Sequence, residues 1–180
     1  MQKVLKLISV ILFFIVILLL IVSILSSSDT NIKISVTIDS PRNVTWKRII
    51  DYGQYSKWLF LGSRIIREDV TPLQRNSMII VYPAVGTGNI ATDYKILEYL
   101  SDRKIAFRNI GKIQLPLVND QIITVECRSL PDGSSEVIWL ETYHVKTLLG
   151  KVFNQFYHRH HRKAIANNAL RQLKRLIESF

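Results

Sequence analysis

The hydrophobic positions of this chain follow three patterns in succession: an unbroken apolar run, a middle region that alternates, and a final region with helical spacing. The run covers residues 4–25, VLKLISVILFFIVILLLIVSIL, and Lys6 is its only charge. At about 1.5 Å of rise per residue, a helix of this length covers about 33 Å, which suffices for the hydrocarbon core of a bilayer. The run therefore predicts a transmembrane helix.

A cleaved signal peptide is the alternative for this run. Signal peptides have shorter apolar regions of about 7–15 residues, followed by an Ala-x-Ala-like site. No such site follows here, although the serines at 26–28 leave cleavage open. Lys3, directly before the run, and Lys6, near its start, put basic residues on the short N-terminal side, so the positive-inside rule predicts a cytoplasmic N-terminus. We expect an anchor with its linker over 1–28, and one extracytoplasmic domain, periplasmic or extracellular, over 29–180.

The alternating region predicts a sheet. Ile32, Ile34, Val36 and Ile38 alternate with polar residues, which is typical of a strand with one buried face. Further strands are predicted over 64–69, 77–82, 90–100, 104–109, 121–130 and 136–145. Turn residues separate them, at 71–72, 86–88, 101–102 and, as the strongest hairpin signal, Asp132-Gly133.

Helices are predicted on both sides of these strands. After the first strand, residues 39–40 offer a capping side chain before Pro41, and Trp46, Ile49 and Ile50 share one face up to Gly53. A second short helix follows. A long helix is predicted over 149–179. Because consecutive strands with short turns pair antiparallel, the order predicts an α+β fold: a curved seven-stranded antiparallel sheet around a long C-terminal helix, preceded by one transmembrane helix.

Three stretches carry a resemblance to a known family. They are the segment from Ser40-Pro41 through Val44, Trp46 and Asp51 to Tyr55-Ser-Lys-Trp58, then YKILEYLSDRKIAFR at 94–108, and PDGSSEVIWLETY at 131–143. In order and spacing, residues 32–178 resemble the helix-grip fold of the START/SRPBCC superfamily, and more specifically its polyketide cyclase/dehydrase-like branch.

The resemblance implies a cavity between the sheet and the long helix. Family members bind lipids, sterols, polyketides or other hydrophobic molecules, and a minority are enzymes. The family has no universal catalytic motif, so the resemblance supplies no catalytic residue and no cofactor is expected. The expected partner is a hydrophobic small molecule or lipid. An anchor departs from the soluble members and argues against a diffusible carrier.

Several side chains are candidates for the cavity wall. Tyr55 and Trp58 are expected to cap one end of the cavity, and Tyr94 and Glu98 share one strand face with Ile96. In the last strand, the set 139, 141 and 143 competes with the set 138, 140 and 142 for the interior. The candidates are Trp58, Tyr94, Glu98, Phe107, Cys127, Glu141, Tyr143, Arg159 and Arg162.

The two arginines come from the pattern of the long helix. Its apolar face, which includes Ala166 and Leu170, continues backwards onto Arg162, Arg159, His158 and Gln155. Either the helix leaves the core there, or polar groups face the cavity. A buried Arg needs an anionic partner, which Glu98, Glu141 or a ligand headgroup would supply.

Charge and composition limit the kinds of partner that we expect. The net charge is +10, and it is still +8 without Lys3 and Lys6, which favours an anionic membrane surface, with a solubilising surface charge as the alternative. No metal is expected, because His158 and His161 share a helix face without a third ligand among basic neighbours. No nucleic acid is expected for an extracytoplasmic domain. Cys127 is the only cysteine, so an internal disulfide is excluded.

Three functions remain open at this point. The first is membrane-anchored binding of a hydrophobic or lipid-like ligand. The second is an enzyme of the polyketide cyclase/dehydrase type that uses Glu98, Glu141 or His144 as acid or base. The third is a domain without a cavity that binds a protein or polymer. An inward carboxylate with a raised pKa favours the enzyme, and a collapsed interior favours the interaction domain.

Overall fold

The computed structural model describes residues 2–67, 72–83, 91–111 and 118–179. Helix α1 (Gln2–Leu25) begins the chain, and by length and composition it is apolar enough to cross a membrane, with a mean hydropathy of 3.5. Its large apolar side chains are mostly exposed.

Seven antiparallel strands form one sheet, as predicted. Its spatial order is β1-β7-β6-β5-β4-β3-β2. The strands are β1 (Asp29–Ile38), β2 (Arg64–Arg67), β3 (Met78–Tyr82), β4 (Thr92–Leu100), β5 (Lys104–Asn109), β6 (Val118–Ser129) and β7 (Ser135–Val145). The predicted hairpin joins β6 to β7, and Gly133 adopts a φ of 86° in its turn, which only glycine adopts without strain. Parts of these predictions lie outside the described residues: the turn at 86–88, Thr71 of the turn at 71–72, and residues 68–69 and 90 of the predicted strands.

Two short helices follow β1. They are α2 (Arg42–Ile49) and a 3-10 helix (Tyr52–Lys57). The predicted side-chain cap at 39–40 is wrong, because Pro41 is the N-cap and no side chain bonds there. The expected end at Gly53 is also wrong. Helix α2 ends earlier, and Asp51 caps the 3-10 helix instead, its Oδ1 accepting a hydrogen bond from Gly53 N at 3.2 Å.

The long C-terminal helix covers residues 148–178 and contains one wide turn. It consists of α3 (Leu148–Phe153), a π-helical turn (Asn154–His158) and α4 (Arg159–Glu178). The predicted apolar face of α4 is buried: Ala166, Ala169, Leu170, Leu173 and Ile177 pack into the same core as the inward side chains of the sheet and of α2. The sheet thus packs around α4, and the chain has the predicted α+β architecture.

Candidate functional site

A cavity of about 430 Å³ lies between the sheet and α4. Its wall combines the segment that follows the 3-10 helix, the inward side chains of β3, β4, β6 and β7, and one face of α4. The lining residues are Leu59, Phe60, Leu61, Ser63, Val81, Pro83, Thr92, Tyr94, Ile123, Trp139, Arg162, Ile165 and Asn168. The wall is thus mainly aliphatic and aromatic, with a few polar groups and one cation, as in sites for small apolar molecules.

The cation of this wall, Arg162, is paired with a buried carboxylate. Arg162 Nε donates to Glu141 Oε1 at 2.7 Å, and Nη2 donates to Oε2 at 3.1 Å, which is the two-point geometry of a strong guanidinium–carboxylate pair. The Glu141 side chain is 0% exposed and that of Arg162 is 17% exposed. The sequence left Glu98, Glu141 or a ligand headgroup as the partner of a buried Arg on this helix, and in the structure the partner of Arg162 is Glu141.

Two further donors hold the carboxylate in place. Gln121 Nε2 donates to Glu141 Oε1 at 2.7 Å, and Trp139 Nε1 donates to Oε2 at 3.2 Å. Burial acts to lower the pKa of Arg162, but the charge of Glu141 and its hydrogen bonds act in the opposite direction and raise the pKa above its ordinary value. Arg162 therefore stays charged, and the pair carries no net charge.

One nitrogen of Arg162 remains available. Among the described residues, Arg162 makes no hydrogen bonds except those to Glu141, which use Nε and Nη2. Nη1 is left over on a residue that lines the cavity. Arg162, a residue of the wall, therefore keeps a donor nitrogen while its charge is already balanced.

Tyr94 lies on the same wall. Its ring packs on Phe60 with a centroid distance of 4.8 Å. Burial raises the pKa of Tyr94, the cation of Arg162 opposes the shift, and the anion of Glu141 adds to it. The phenol therefore remains protonated at neutral pH and keeps its hydroxyl proton for donation.

Glu98 lies away from the cavity, so the expectation that it shares a face with Tyr94 and Ile96 is wrong. The pairing register shifts between Ile96 and Glu98: Ile96 pairs with Phe107, whereas Glu98 pairs with the adjacent Ala106. An extra residue at such a bulge turns the following side chains to the opposite face. Glu98 instead forms an ion pair with Lys104 at 2.6 Å, and its side chain is 42% exposed.

Trp58 does not line this cavity. It is fully buried and lies beside a smaller cavity of about 130 Å³, together with Leu173 and Leu176 of α4. The residues that directly follow it, Leu59 and Phe60, take the wall position expected for Trp58. The reason is the turn after the 3-10 helix, which directs neighbouring side chains to different parts of the core.

Phe107 and Cys127 are core residues. Both are 0% exposed, and the ring of Phe107 makes an edge contact with Tyr55 at 5.8 Å. Burial raises the pKa of the Cys127 thiol to about 11, although a hydrogen bond to Ser135 opposes the shift. A thiol of this pKa stays protonated and is a poor nucleophile at neutral pH.

Tyr143 belongs to a second polar cluster, beside the π-helical turn. Its hydroxyl donates to Asn154 Oδ1 at 2.7 Å, and Asn154 Nδ2 donates to Thr30 Oγ1 at 2.8 Å. Burial and the charge of Glu141 raise the pKa of Tyr143 to about 12. Arg159 carries a buried Nε that has no hydrogen-bond partner among the described residues.

The open question about β7 is thereby answered. Trp139 lines the cavity and Glu141 bonds to Arg162, whereas Thr142 is exposed and Ile138, although buried, lies outside the core cluster that contains Trp139. Of the sequence candidates, the structure places Tyr94 and Arg162 on the cavity wall, with Glu141 bonded to Arg162. Tyr143 and Arg159 lie in the second cluster.

Sequence reasoning did not name most of the wall among its candidates. The sequence could have predicted Ile165, because this residue follows Arg162 by three positions and so shares its helix face. The segment 59–63 carried no such signal, since its path depends on the 3-10 helix and the turn that follows it. Thr92 and Asn168 had no distinguishing pattern.

The histidines do not converge on one point. His158 is buried beside Tyr143, whereas the ring of His161 stacks on Tyr157 at 5.7 Å. His144 contacts Asp29 on the exposed side of β7, at 2.9 Å. No group of three or more potential metal ligands is found in the part of the chain that the structure describes.

No family model and no curated protein sequence matches this chain. Solved structures match its fold. The di-domain aromatase/cyclase StfQ from the steffimycin biosynthetic pathway gives a TM-score of 0.66 at 13% identity, over 84% of this chain and 51% of that one. The Zhui aromatase/cyclase from a Streptomyces species gives 0.60 at 12% identity, over 82% and 94%. A protein from Nitrosospira multiformis gives 0.63 at 10% identity, over 82% and 96%. This chain therefore has the helix-grip fold of the aromatase/cyclase structures.

Proposed function

We propose that this protein is a membrane-anchored binder of a hydrophobic ligand. Residues 1–28 are the anchor and linker, and residues 29–180 are the binding domain. Lys3 and Lys6 in the first two turns of α1 support a cytoplasmic N-terminus and a domain on the other side of the membrane. The cavity between the sheet and α4 is the observation that carries the proposal, because its 430 Å³ falls within the range of small-molecule sites, about 300–1,000 Å³.

The wall chemistry narrows the class of ligand. Aromatic and aliphatic side chains cover most of the cavity, so most of the ligand is apolar. Arg162 Nη1 and the Tyr94 hydroxyl offer donors. Because Glu141 already balances the charge of Arg162, the matching group is a carbonyl or hydroxyl oxygen and does not have to be an anion.

The acid–base candidates give little support to the enzyme alternative. Glu98 forms an ion pair with Lys104 and His144 contacts Asp29, both outside the cavity, and Glu141 accepts four hydrogen bonds from three side chains. A carboxylate with all its acceptor positions engaged is a poor general base. The cavity itself argues against an interaction domain with a filled interior.

A cavity-filling substitution tests the proposal. In Ile165→Trp, an indole from α4 fills part of the cavity, while Arg171→Trp places the same side chain at an exposed position of α4 as a control. Native mass spectrometry of the full chain, with detergent removed in the gas phase, measures co-purified small molecules. We expect an adduct in the native chain and in Arg171→Trp, and at least a several-fold loss of it in Ile165→Trp. Equal occupancy in all three would contradict the proposal.

A further inference from the structure

The first half of the C-terminal helix presents an unusual exposed surface. Five large apolar side chains within ten residues face outward, and Leu149 is 77% and Phe156 66% exposed. We call this surface the juxtamembrane patch, formed by Leu148, Leu149, Phe153, Phe156 and Tyr157. Contiguous exposed apolar surface on a protein usually marks a contact with a membrane or with another protein.

The helix beneath the patch has its polarity reversed. Its buried side chains in the π-helical turn are Asn154 and His158, both polar, and its exposed side chains are Phe156, Tyr157 and one polar residue, Gln155. A helix that faces water has the opposite arrangement, with its apolar stripe towards the core. The environment outside the patch is therefore apolar.

The contacts between α1 and α3 indicate where the juxtamembrane patch lies relative to α1. Ser23 Oγ donates to the carbonyl oxygen of Leu148 at 3.1 Å, and Ser23 is 1% exposed. An apolar groove between the two helices is lined by Val16, Leu19, Leu20, Ser23, Leu148, Leu149 and Val152. Val16 precedes Leu25 by nine residues, about 14 Å along the axis, which is half the thickness of a hydrocarbon core. If α1 spans the bilayer, α3 lies at the depth of the leaflet from which α1 emerges.

The charges around the patch fit a lipid surface. Lys146 and Lys163 are exposed, Lys151 is half-buried, and no acidic residue occurs between Glu141 and Glu178. Long basic side chains that flank an apolar surface reach the headgroup phosphates while their stems stay in the apolar layer. Tyr157 is of the residue type that is enriched at the membrane interface.

We infer that the juxtamembrane patch is inserted into the outer part of the same bilayer that α1 spans, with the neighbouring lysines on anionic headgroups. The cavity domain is then held against the membrane at two places, α1 and the patch. This inference rests on the proposed membrane anchoring.

Spin-label accessibility tests it on the full chain. In a Cys127→Ala background, single cysteines at Ile11, Phe156 and Arg171 carry a nitroxide, in nanodiscs of phosphatidylcholine and phosphatidylglycerol. Ile11 reports on α1, Phe156 on the patch, and Arg171 on an exposed position of α4. Oxygen concentrates in the bilayer and a nickel chelate stays in water. We expect an oxygen-to-nickel accessibility ratio at 156 that is several-fold above that at 171 and below that at 11, which lies deeper in the bilayer.

The other outcomes separate the inference from the anchoring. A label at 156 that is as open to nickel as the label at 171, while 11 remains in the bilayer, overturns the inference and leaves the anchor. A label at 156 that is closed to both reagents overturns it in favour of a protein contact, such as a second copy. A label at 11 that is open to nickel overturns the anchoring together with the inference.

Discussion

Arg162 and Glu141 connect the cavity wall to the core of the sheet. The helix pattern left two possibilities, a helix that leaves the core or arginines that face the cavity, and in the second case the cost of burying a charge required an anionic partner. The pattern did not select among Glu98, Glu141 and a ligand headgroup. The bulge in β4 turns Glu98 outward and so leaves Glu141 as the partner. No residue type in β4 predicts this bulge.

Breaking this pair is expected to destabilise the fold strongly. Glu141→Gln leaves the guanidinium of Arg162 without its counter-charge, which costs about 3 kcal/mol of the free energy of unfolding. The double variant Glu141→Gln/Arg162→Met leaves neither charge and should recover part of the loss. Urea unfolding of the full chain in micelles, followed by tryptophan fluorescence, measures both.

The exposed pair of Glu98 and Lys104 supplies the control for that experiment. Glu98→Gln removes the same charge from a half-exposed carboxylate, so the expected change is within about 1 kcal/mol. A loss in Glu98→Gln as large as that in Glu141→Gln, or no recovery in the double variant, would show that the buried pair does not hold the wall.

His158 gives the fold a dependence on pH. Burial lowers the pKa of His158, the cation of Arg162 adds to the shift, the anion of Glu141 opposes it, and His161 lowers it further. The folded state therefore takes up the proton at a lower pH than the unfolded chain, whose histidine titrates near pH 6.5. Stability from this residue is complete above about pH 6.5 and declines as pH falls from there through the lower folded pKa.

Substitution of this histidine should flatten that decline. The difference in unfolding free energy between the native chain and His158→Gln is expected to shrink as the pH is lowered from 7 to 5, because the glutamine does not titrate. His160→Gln, at an exposed position of the same helix, is the control for the change of side chain itself. A difference for His158→Gln that stays constant between pH 7 and pH 5 would rule out the linkage.

At the scale of elements, period-two and period-3.6 patterns predicted the sheet, the short helices and the long helix. These patterns predicted the wrong inward residues where one extra residue is inserted into a strand or a helix. The π-helical turn inserts one residue into the helix, so that Asn154 is buried while Gln155, predicted on the inner face, is exposed. Such insertions have no signature in residue type, because tertiary contacts stabilise them. Here those contacts are the hydrogen bonds of Asn154 to Tyr143 and Thr30.

The π-helical turn should therefore depend on Asn154. Asn154→Ala leaves the Tyr143 hydroxyl and the Thr30 side chain without this partner in a buried site, at a cost of about 1–3 kcal/mol. Gln155→Ala, one residue further, should change stability by less than about 0.5 kcal/mol. Thermal unfolding of the two variants compares them. Equal effects would indicate that the turn does not depend on this network.

For the molecule as a whole, the sheet, the C-terminal helix and α1 form a connected arrangement. The sheet and α4 enclose the cavity, while the first half of the same helix contacts α1. Sequence reasoning anticipated the apolar run and the cavity separately. It did not anticipate the contact between α1 and α3, because Ser23 and Leu148 are 125 residues apart and neither belongs to a motif.

Photo-crosslinking in intact cells tests the central claim, a ligand in the cavity, most directly. Benzoyl-phenylalanine replaces Phe60 on the cavity wall or, as the control, the exposed Tyr52. After irradiation, mass spectrometry of the full chain should show a defined small-molecule adduct at position 60 and none at position 52. An absent adduct at position 60, or equal adducts at both positions, would contradict the claim.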